Sequence, residues 1–198
     1  KIMKSKISNY PVATFNKLPK DIRDKVKKIQ EKSGFIPNVF LALGHRPDEL
    51  RAFFNYHDVI MERNSNLTKA EKEMIVVATS SANSCLYCVV AHGAILRVYE
   101  KHSFISEIIA TNYSESDLIS TKQKKMLDYS LLLCRNPEKV TQSDLNILKK
   151  AGFSKNDIWD ISSITSFFAL SNRMASFLSI KPNDEFHKIG RLIKKKNK

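Results

Sequence analysis

Residues 68–92, TKAEKEMIVVATSSANSCLYCVVAH, combine the clearest helix signal of the chain with its densest chemistry. Thr68 and Glu71 have the spacing of a capping box, in which each side chain accepts a backbone N–H that the first helical turn leaves unpaired. The run at 75–77, Ile-Val-Val, would suit a strand on propensity alone, but the capping box ahead of it favours a helix. The stretch therefore begins with a helix predicted over 68–82.

Helix signals continue on both sides of this stretch, and strand signals are few. Two further capping boxes and two glycines that suit helix ends are present, namely Thr141 with Asp144, Ser154 with Asp157, Gly34 and Gly152. Together with apolar residues at helical spacing, they predict helices near 18–33, 47–63, 68–82, 84–101, 121–135, 141–151 and 154–179. We therefore expect an all-α, multi-helix fold.

The chain contains a faint internal repeat. One unit, at about 47–101, includes the dithiol motif, and a second unit, at about 121–180, follows the same register without the two thiols or the histidine. Two related helical units would explain this similarity, and so would chance resemblance between amphipathic helices. In either case the length predicts a single domain over 1–198 that ends in a basic tail at 194–198.

The net charge of +13 raises the question of nucleic-acid binding. The lysines are spread along the chain, however, and no nucleic-acid motif or aromatic stacking pattern accompanies them. We therefore expect a solvated basic surface that binds polyanions weakly and without specificity. A specific nucleic-acid partner is not expected.

Neither a membrane-spanning segment nor a secretory leader is indicated. The best apolar run, 161–180, is interrupted by Asn172 and Arg173, so it does not suit a bilayer. No continuous apolar stretch follows the N-terminal residues, although a leader removed before Lys1 stays open. The three cysteines are not a disulfide framework, and this count favours an intracellular, cytoplasmic protein.

Cys85, Cys88 and His92 form the chemical centre of the sequence. On a helix these spacings place all three side chains on one face, so that the thiols can form a disulfide and the imidazole can exchange a proton with them. The small polar residues before them predict a helix break, with Asn83 or Ser84 as N-cap. Cys85 would then lie in the first turn, where the helix dipole favours a thiolate.

Glu73 precedes Cys85 by twelve residues, which on one straight helix is a distance of about 18 Å. If the chain turns near Asn83, the Glu73 carboxylate can fold back and orient the imidazole of His92. The alternative is a solvated glutamate in the charged start of a helix. Spacing alone leaves both interpretations open.

A CxxC pair has several other uses in proteins. A c-type haem requires a histidine directly after the second cysteine, where this chain has Val89. A structural zinc requires four ligands, and the cluster supplies three at most. A thioredoxin requires a βαβ framework, which a helical chain does not have. No metal or cofactor is therefore predicted, and Cys134, in an apolar stretch, is expected to be a small buried residue.

The pattern Glu73, Cys85, Cys88 and His92 resembles the E…CxxCxxxH signature of the carboxymuconolactone decarboxylase/alkylhydroperoxidase D superfamily, and more narrowly its peroxidase-related branch. Supporting segments lie at 34–40, 45–47, 67–68, 71 and 172–175, and the similarity extends from about residue 10 to residue 191. The resemblance implies an all-helical fold of repeated units and a homo-oligomer.

The resemblance also implies an antioxidant enzyme that reduces hydroperoxides with its thiols. By position, Cys88 would be the peroxidatic cysteine and Cys85 the resolving one, while His92, backed by Glu73, would activate Cys88. Tyr87 is a departure, because the best-studied members have a second histidine there. A tyrosine is a poor base at neutral pH, but it can donate a hydrogen bond to a peroxide oxygen.

The family also bears on the partners of the site. A dithiol reductant, which in the family can be a lipoylated protein, would regenerate the thiols by attacking the more exposed Cys85. The decarboxylases of the superfamily work without the cysteine pair, so decarboxylation is not expected. Trp159 and the phenylalanines at 167–168 lie on one predicted helix, and we expect them in the core or a subunit interface.

Two functions of other classes stay open. A non-catalytic redox switch or thiol–disulfide exchange protein would form the same disulfide without turning over peroxide. A basic binding module would not need the thiols at all. Neither alternative has a positive motif in the sequence.

Overall fold

The computed structural model describes residues 6–191, and in this range the chain forms nine α-helices and no strand. The helices are α1 (Lys20–Ser33), α2 (Asn38–Leu43), α3 (Pro47–Met61), α4 (Lys69–Ala82), α5 (Leu86–Glu100), α6 (Ile105–Thr111), α7 (Thr121–Arg135), α8 (Gln142–Lys150) and α9 (Lys155–Phe177). Short 3-10 helices lie at Phe15–Lys17, Tyr113–Glu115, Pro137–Lys139 and Asp184–His187. The all-α prediction is confirmed, and the predicted basic tail lies outside the described residues. None of the helices between residues 6 and 191 is long and apolar enough to cross a membrane.

All seven predicted helices occur, with ends within two residues of the prediction. The three predicted capping boxes form, and a fourth that was not predicted, Ser120 with Gln123, begins α7. Gly34 has the left-handed conformation that ends α1, with a φ of 84°. Helices α3 to α5 fall in the first predicted unit and α7 to α9 in the second, and the relation between the two units stays a prediction.

The sequence does not predict α2 and α6. After its first residue, α2 is apolar at every position, so it has no helical periodicity to recognise. Both helices are also shorter than the length at which a helix is stable on its own. Tertiary packing stabilises both helices, because Phe40 and Ala42 of α2 and Ile105 and Ile109 of α6 are buried.

Helix α4 lies at the centre of the fold and packs against α5, α6, α7 and α9. Met74, Ile75, Val76 and Val77 are each at most 1% exposed. A helix that is buried on several sides carries apolar residues at nearly every position, which explains why this segment resembles a strand in composition. Glu73 is buried on the same helix, so α4 carries a carboxyl group into the interior.

The C-terminal segment closes a second buried cluster around the dithiol. Phe186 is buried in the same cluster as Cys85 and Cys88. Arg97 of α5 holds this segment, because its guanidinium donates to the backbone oxygens of Phe186 and Ile189 at 2.8 and 2.9 Å. The dithiol therefore lies beneath the last described part of the chain rather than at an open surface.

Candidate active site

The turn between α4 and α5 positions the two thiols. The backbone N–H of Cys85 donates to the oxygen of Ser80 at 2.9 Å, and that of Ser84 donates to Ser81 at 2.9 Å. This pair of bonds is the Schellman arrangement that ends a helix. Ser84 takes the left-handed conformation that the motif requires, with a φ of 53°. The chain therefore reverses within the few residues between the two helices.

The predicted N-cap at Asn83 or Ser84 is wrong, because Cys85 itself is the N-cap of α5. Asn83 is the C-cap of α4, and Ser84 is the left-handed residue that follows it. The Schellman motif that ends α4 finishes at Cys85, and Cys85 is also the N-cap of α5, so no linker residue separates the two helices. Consequently it is Cys88, as the third residue of α5, that lies in the first turn.

Both thiols are free and buried. Cys85 and Cys88 are each 2% exposed, so the expectation that Cys85 is the more exposed of the two is wrong. A hydrogen bond from Cys88 lowers the pKa of Cys85 to about 7, and the nearby His92 acts in the same direction. The same hydrogen bond, together with burial, raises the pKa of Cys88. The two thiols therefore influence each other, and Cys85 is the one whose thiolate the site favours.

The fold brings Glu73 to His92, as one of the two interpretations of the sequence requires. Nδ1 of His92 lies 2.7 Å from Oε2 of Glu73, and the side chains are 15% and 7% exposed. Phe168 of α9 packs edge-on against the imidazole, with ring centroids 4.8 Å apart. Since a carboxylate only accepts hydrogen bonds, Nδ1 is the donor, which leaves Nε2 available for proton exchange.

Tyr87 extends toward α2. Its hydroxyl oxygen accepts the backbone N–H of Val39 at 3.3 Å, and its ring lies edge-on to Phe186. Burial raises the pKa of Tyr87, so the hydroxyl keeps its hydrogen at neutral pH and remains a donor. A hydrogen bond from this group to a peroxide oxygen stays a prediction.

Two further polar side chains influence the dithiol, and the sequence did not identify either as a site residue. Asn172 acts to lower the pKa of both Cys85 and Cys88, and Ser171 acts to lower that of Cys88. Both lie on α9 and are buried. A signal was present, because Asn172 interrupts the apolar run at 161–180, and polar groups that become buried have hydrogen-bond partners.

The site therefore combines two free, buried thiols with an imidazole that a buried carboxylate holds. Such a dithiol can attack an electrophile as a thiolate and can close into a disulfide. The imidazole can take up or deliver the protons that these steps release or require. In the part of the chain between residues 6 and 191, no group of three or more His, Cys, Asp or Glu side chains is arranged to hold a metal ion.

One protein family matches this chain in sequence, and solved structures match it in fold. Residues 47–101, which span α3 to α5, match the carboxymuconolactone decarboxylase family. An uncharacterized peroxidase-related protein from Ralstonia eutropha JMP134, described as an alkylhydroperoxidase AhpD core, is 53% identical over 96% of this chain and 99% of that chain, with a TM-score of 0.92. The chain therefore belongs to the carboxymuconolactone decarboxylase/alkylhydroperoxidase D superfamily, in its peroxidase-related branch.

Other solved structures extend this comparison. An uncharacterized peroxidase-related protein from Silicibacter sp. TM1040 is 34% identical over 96% of this chain and all of that chain, with a TM-score of 0.87. The debrominase Bmp8 is 16% identical over 96% of this chain and 98% of that chain, with a TM-score of 0.73, and shares the fold alone. None of the curated proteins matches the chain in sequence.

Proposed function

We propose that the protein is a thiol-dependent hydroperoxide reductase that cycles Cys85 and Cys88 between dithiol and disulfide. The observation that carries the proposal is the pair of free, buried thiols on the helix that also carries His92, whose Nδ1 lies 2.7 Å from Oε2 of Glu73. A thiolate is the form of cysteine that attacks a peroxide, and a second thiol beside it can resolve the sulfenic acid before further oxidation. Membership of the peroxidase-related branch supports the same reaction.

In the proposed reaction, one sulfur attacks the terminal oxygen of a hydroperoxide ROOH, and the O–O bond breaks. The alkoxide takes up a proton and leaves as ROH, while the sulfur becomes a sulfenic acid. The second sulfur then attacks the first and expels the hydroxyl group as water. Two thiols and ROOH thus yield one disulfide, ROH and water. His92, held at Nδ1 by Glu73, relays the protons.

We propose that Cys88 makes the first attack and that His92, held by Glu73, takes up its proton, as the resemblance implies. The opposite order, in which Cys85 attacks, is distinguished by trapping the sulfenic acid with dimedone in Cys85→Ser and Cys88→Ser. We expect a rapid adduct on Cys88 in the first variant and only a slow reaction in the second. A rapid adduct on Cys85 beside an unreactive Cys88 would reverse the proposed order.

The disulfide must be reduced by a second dithiol for the cycle to continue. We propose a lipoylated protein or another small dithiol carrier in the cytoplasm, since attack by an external thiolate regenerates the pair. The net charge of +13 favours a negatively charged carrier domain. Steady-state turnover of peroxide with dihydrolipoamide, compared with a monothiol at equal thiol concentration, tests this assignment. Equal turnover with both would contradict the preference for a dithiol.

The first test of the function is a count of alkylatable thiols after one equivalent of cumene hydroperoxide. We expect the wild type to lose two of its three thiols and Cys88→Ser to lose none. Cys134→Ser is the matched control, because it removes the cysteine outside the dithiol and should leave the peroxide-driven loss intact. If the wild type keeps both thiols while they still react with disulfide reagents, the peroxidase proposal fails.

Thiol–disulfide exchange without peroxide turnover is the second candidate function. The observation that favours it is the pair of free, buried thiols, of which Cys85 has a pKa that a hydrogen bond from Cys88 lowers to about 7. A thiol attacks a disulfide most effectively when its pKa lies near the ambient pH. An exchange protein or redox switch would form the disulfide stoichiometrically with a disulfide substrate, and it would show no peroxide turnover with any dithiol.

We also propose that the protein forms a homo-oligomer through an apolar face of α3 and α9. Tyr56 and Val59 of α3 and Leu170 and Phe177 of α9 are between 49% and 62% exposed, and Trp159 is 70% exposed. A cavity of about 600 Å³ runs between these two helices. Exposed apolar surface of this extent is typical of a protein interface. The face supports the expectation that Trp159 belongs to a subunit interface rather than to the core.

The oligomer is tested by multi-angle light scattering on the wild type and on a Leu170→Glu/Phe177→Glu double variant. We expect the wild type to exceed the monomer mass and the variant to return to it, because two buried carboxylates would oppose association. Leu118→Glu is the control, since Leu118 is equally exposed at 55% but lies outside this face. A monomeric wild type at micromolar concentration would overturn the proposal.

A further inference from the structure

Residues 184–191 form a C-terminal strap that packs against α5 beside the dithiol. The strap begins with the 3-10 helix Asp184–His187. Phe186 is buried, and its ring lies edge-on to that of Tyr87, with ring centroids 6.4 Å apart. Tyr87 separates the two cysteines in the chain, and Phe186 belongs to the same buried cluster as both sulfurs. The strap is therefore part of the cover over the dithiol.

The buried side chain of Arg97 holds the strap in place. Its guanidinium donates to two backbone oxygens of the strap at 2.8 and 2.9 Å, and to Oγ of Ser106 at 2.8 Å. Ser106 in turn donates to Oε2 of Glu107 at 2.7 Å. Glu107 also forms an ion pair with Arg191, at the end of the strap. These contacts connect the strap to α5 and α6 through polar groups that centre on one guanidinium.

Gly190 allows the strap to approach Arg97 this closely. It has a φ of 74°, and a Cβ added to it would lie 2.5 Å from the Cβ of Arg97. The Cβ of Arg97 is bonded to the backbone of α5, so it cannot swing aside as the end of a flexible side chain would. A residue larger than glycine would therefore meet both the cost of the left-handed conformation and a steric overlap.

The proposed cycle requires access to a sulfur from outside. A thiolate of the dithiol carrier attacks one sulfur of the disulfide, which forms a mixed disulfide and releases the other sulfur as a thiolate. The second thiol of the carrier then displaces the protein sulfur, so that the carrier leaves as a disulfide and both cysteines are reduced. Cys85 and Cys88 are each only 2% exposed, so the cover must open before a carrier can make this attack.

We propose that the C-terminal strap is a gate, which covers the dithiol while Arg97 holds it and opens to admit the reducing dithiol. The strap contains one 3-10 helix of four residues, and segments with few buried contacts open at a lower free energy than packed helices. Helices α4 and α5 are longer and pack against each other, so the strap opens first. The purpose of the gate rests on the proposed function, but its opening requires no peroxide.

The test measures how fast the reduced dithiol reacts with a maleimide that carries a polyethylene glycol chain. Cys134, which is half-buried rather than buried as predicted, is replaced by serine so that only the dithiol is counted. Gly190→Ala disfavours the closed strap, and we expect it to speed the reaction at least about tenfold. Gly152→Ala is the matched control: Gly152 has a φ of 92°, and an added Cβ would have open space around it. The control therefore carries the same backbone cost away from the strap.

A wild-type rate in Gly190→Ala would overturn the inference. An equal rise in Gly152→Ala would also overturn it, because access would then require unfolding of the whole chain. If Gly190→Ala does not fold, as judged by circular dichroism, hydrogen exchange of the wild type decides instead. The thiols should be protected to the same degree as the backbone amides of 186–191 and less than those of α4, and thiols protected as strongly as α4 contradict the gate. Because the reduced protein and no peroxide are used, this inference and the peroxidase proposal can fail separately.

Discussion

Nδ1 of His92 and Oε2 of Glu73 lie 2.7 Å apart, although nineteen residues separate them in the chain. The contact exists because Ser84 turns the chain in a left-handed conformation and α5 then packs along α4. Phe168 covers the imidazole, so little water competes for the hydrogen bond. A buried carboxylate that fixes the tautomer of a histidine beside a dithiol is a testable part of the proposed chemistry.

Glu73→Gln should slow peroxide-driven disulfide formation by at least about tenfold, because the amide removes the charge that orients and supports the imidazole. The rate is measured by quenching the reaction with an alkylating reagent and counting the remaining thiols. Glu71→Gln is the control: it makes the same change on the same helix, and a glutamine preserves the capping box. If both variants react at the wild-type rate, Glu73 has only a structural role.

Alkylation of Cys85 should be half-maximal near pH 7, because its hydrogen bond from Cys88 lowers its pKa to about 7. Since the thiolate is the reactive form, the rate should rise with pH through this midpoint and then level off. Cys88→Ala removes the donor, so the midpoint should move upward toward the ordinary range of a thiol. Cys88→Ser keeps a hydroxyl donor and should move it less. Equal midpoints in the wild type and Cys88→Ala would show that the two thiols do not influence each other.

Helix boundaries were predictable from the sequence because their signals are local. A capping residue and its partner lie three positions apart, as Thr68 and Glu71 do, and the same residues satisfy the end of the helix in the structure. The N-cap of α5 was missed because Cys85 serves both as the last residue of one motif and as the cap of the next. Helix α2 was missed because burial stabilises it, while its apolar residues show no helical periodicity.

The residues of the candidate site likewise differ in how far local sequence signals could predict them. Cys85, Cys88 and His92 are close in sequence, so their spacing alone brings them together. Glu73 needed a reversal of the chain that spacing left open. Asn172 lies on α9, 84 residues beyond Cys88 in the chain. No local pattern tells which polar residue of α9 will face the turn, because that depends on how the two helices pack.

Ser84→Gly should stabilise the protein by about 0.5–1 kcal/mol. Ser84 has a φ of 53°, a conformation that costs a residue with a Cβ about 1–2 kcal/mol and costs glycine little. Part of this gain is lost because glycine gives the unfolded chain more freedom. Chemical denaturation measures the free energy of unfolding. Ser84→Ala is the control and should not stabilise the protein, because alanine retains the Cβ; an equal gain in both variants would show that the backbone conformation is not the cause.

Thr165→Val should stabilise the protein by about 1 kcal/mol, because it removes a buried hydroxyl that has no partner. Thr165 is 1% exposed, and among the side chains of residues 6–191 its Oγ1 is the buried polar atom left without a hydrogen bond. Valine has nearly the same shape, so the packing of α9 should be kept. Thermal unfolding would show the gain as a rise of about 2–4 °C for a chain of this size.

The matched comparison is Ser130→Ala, since the Ser130 hydroxyl is equally buried but donates to the oxygen of Met126 at 2.8 Å, and the loss of this hydroxyl should not stabilise the protein. A lower melting temperature in Thr165→Val would mean that the hydroxyl has a partner in solution.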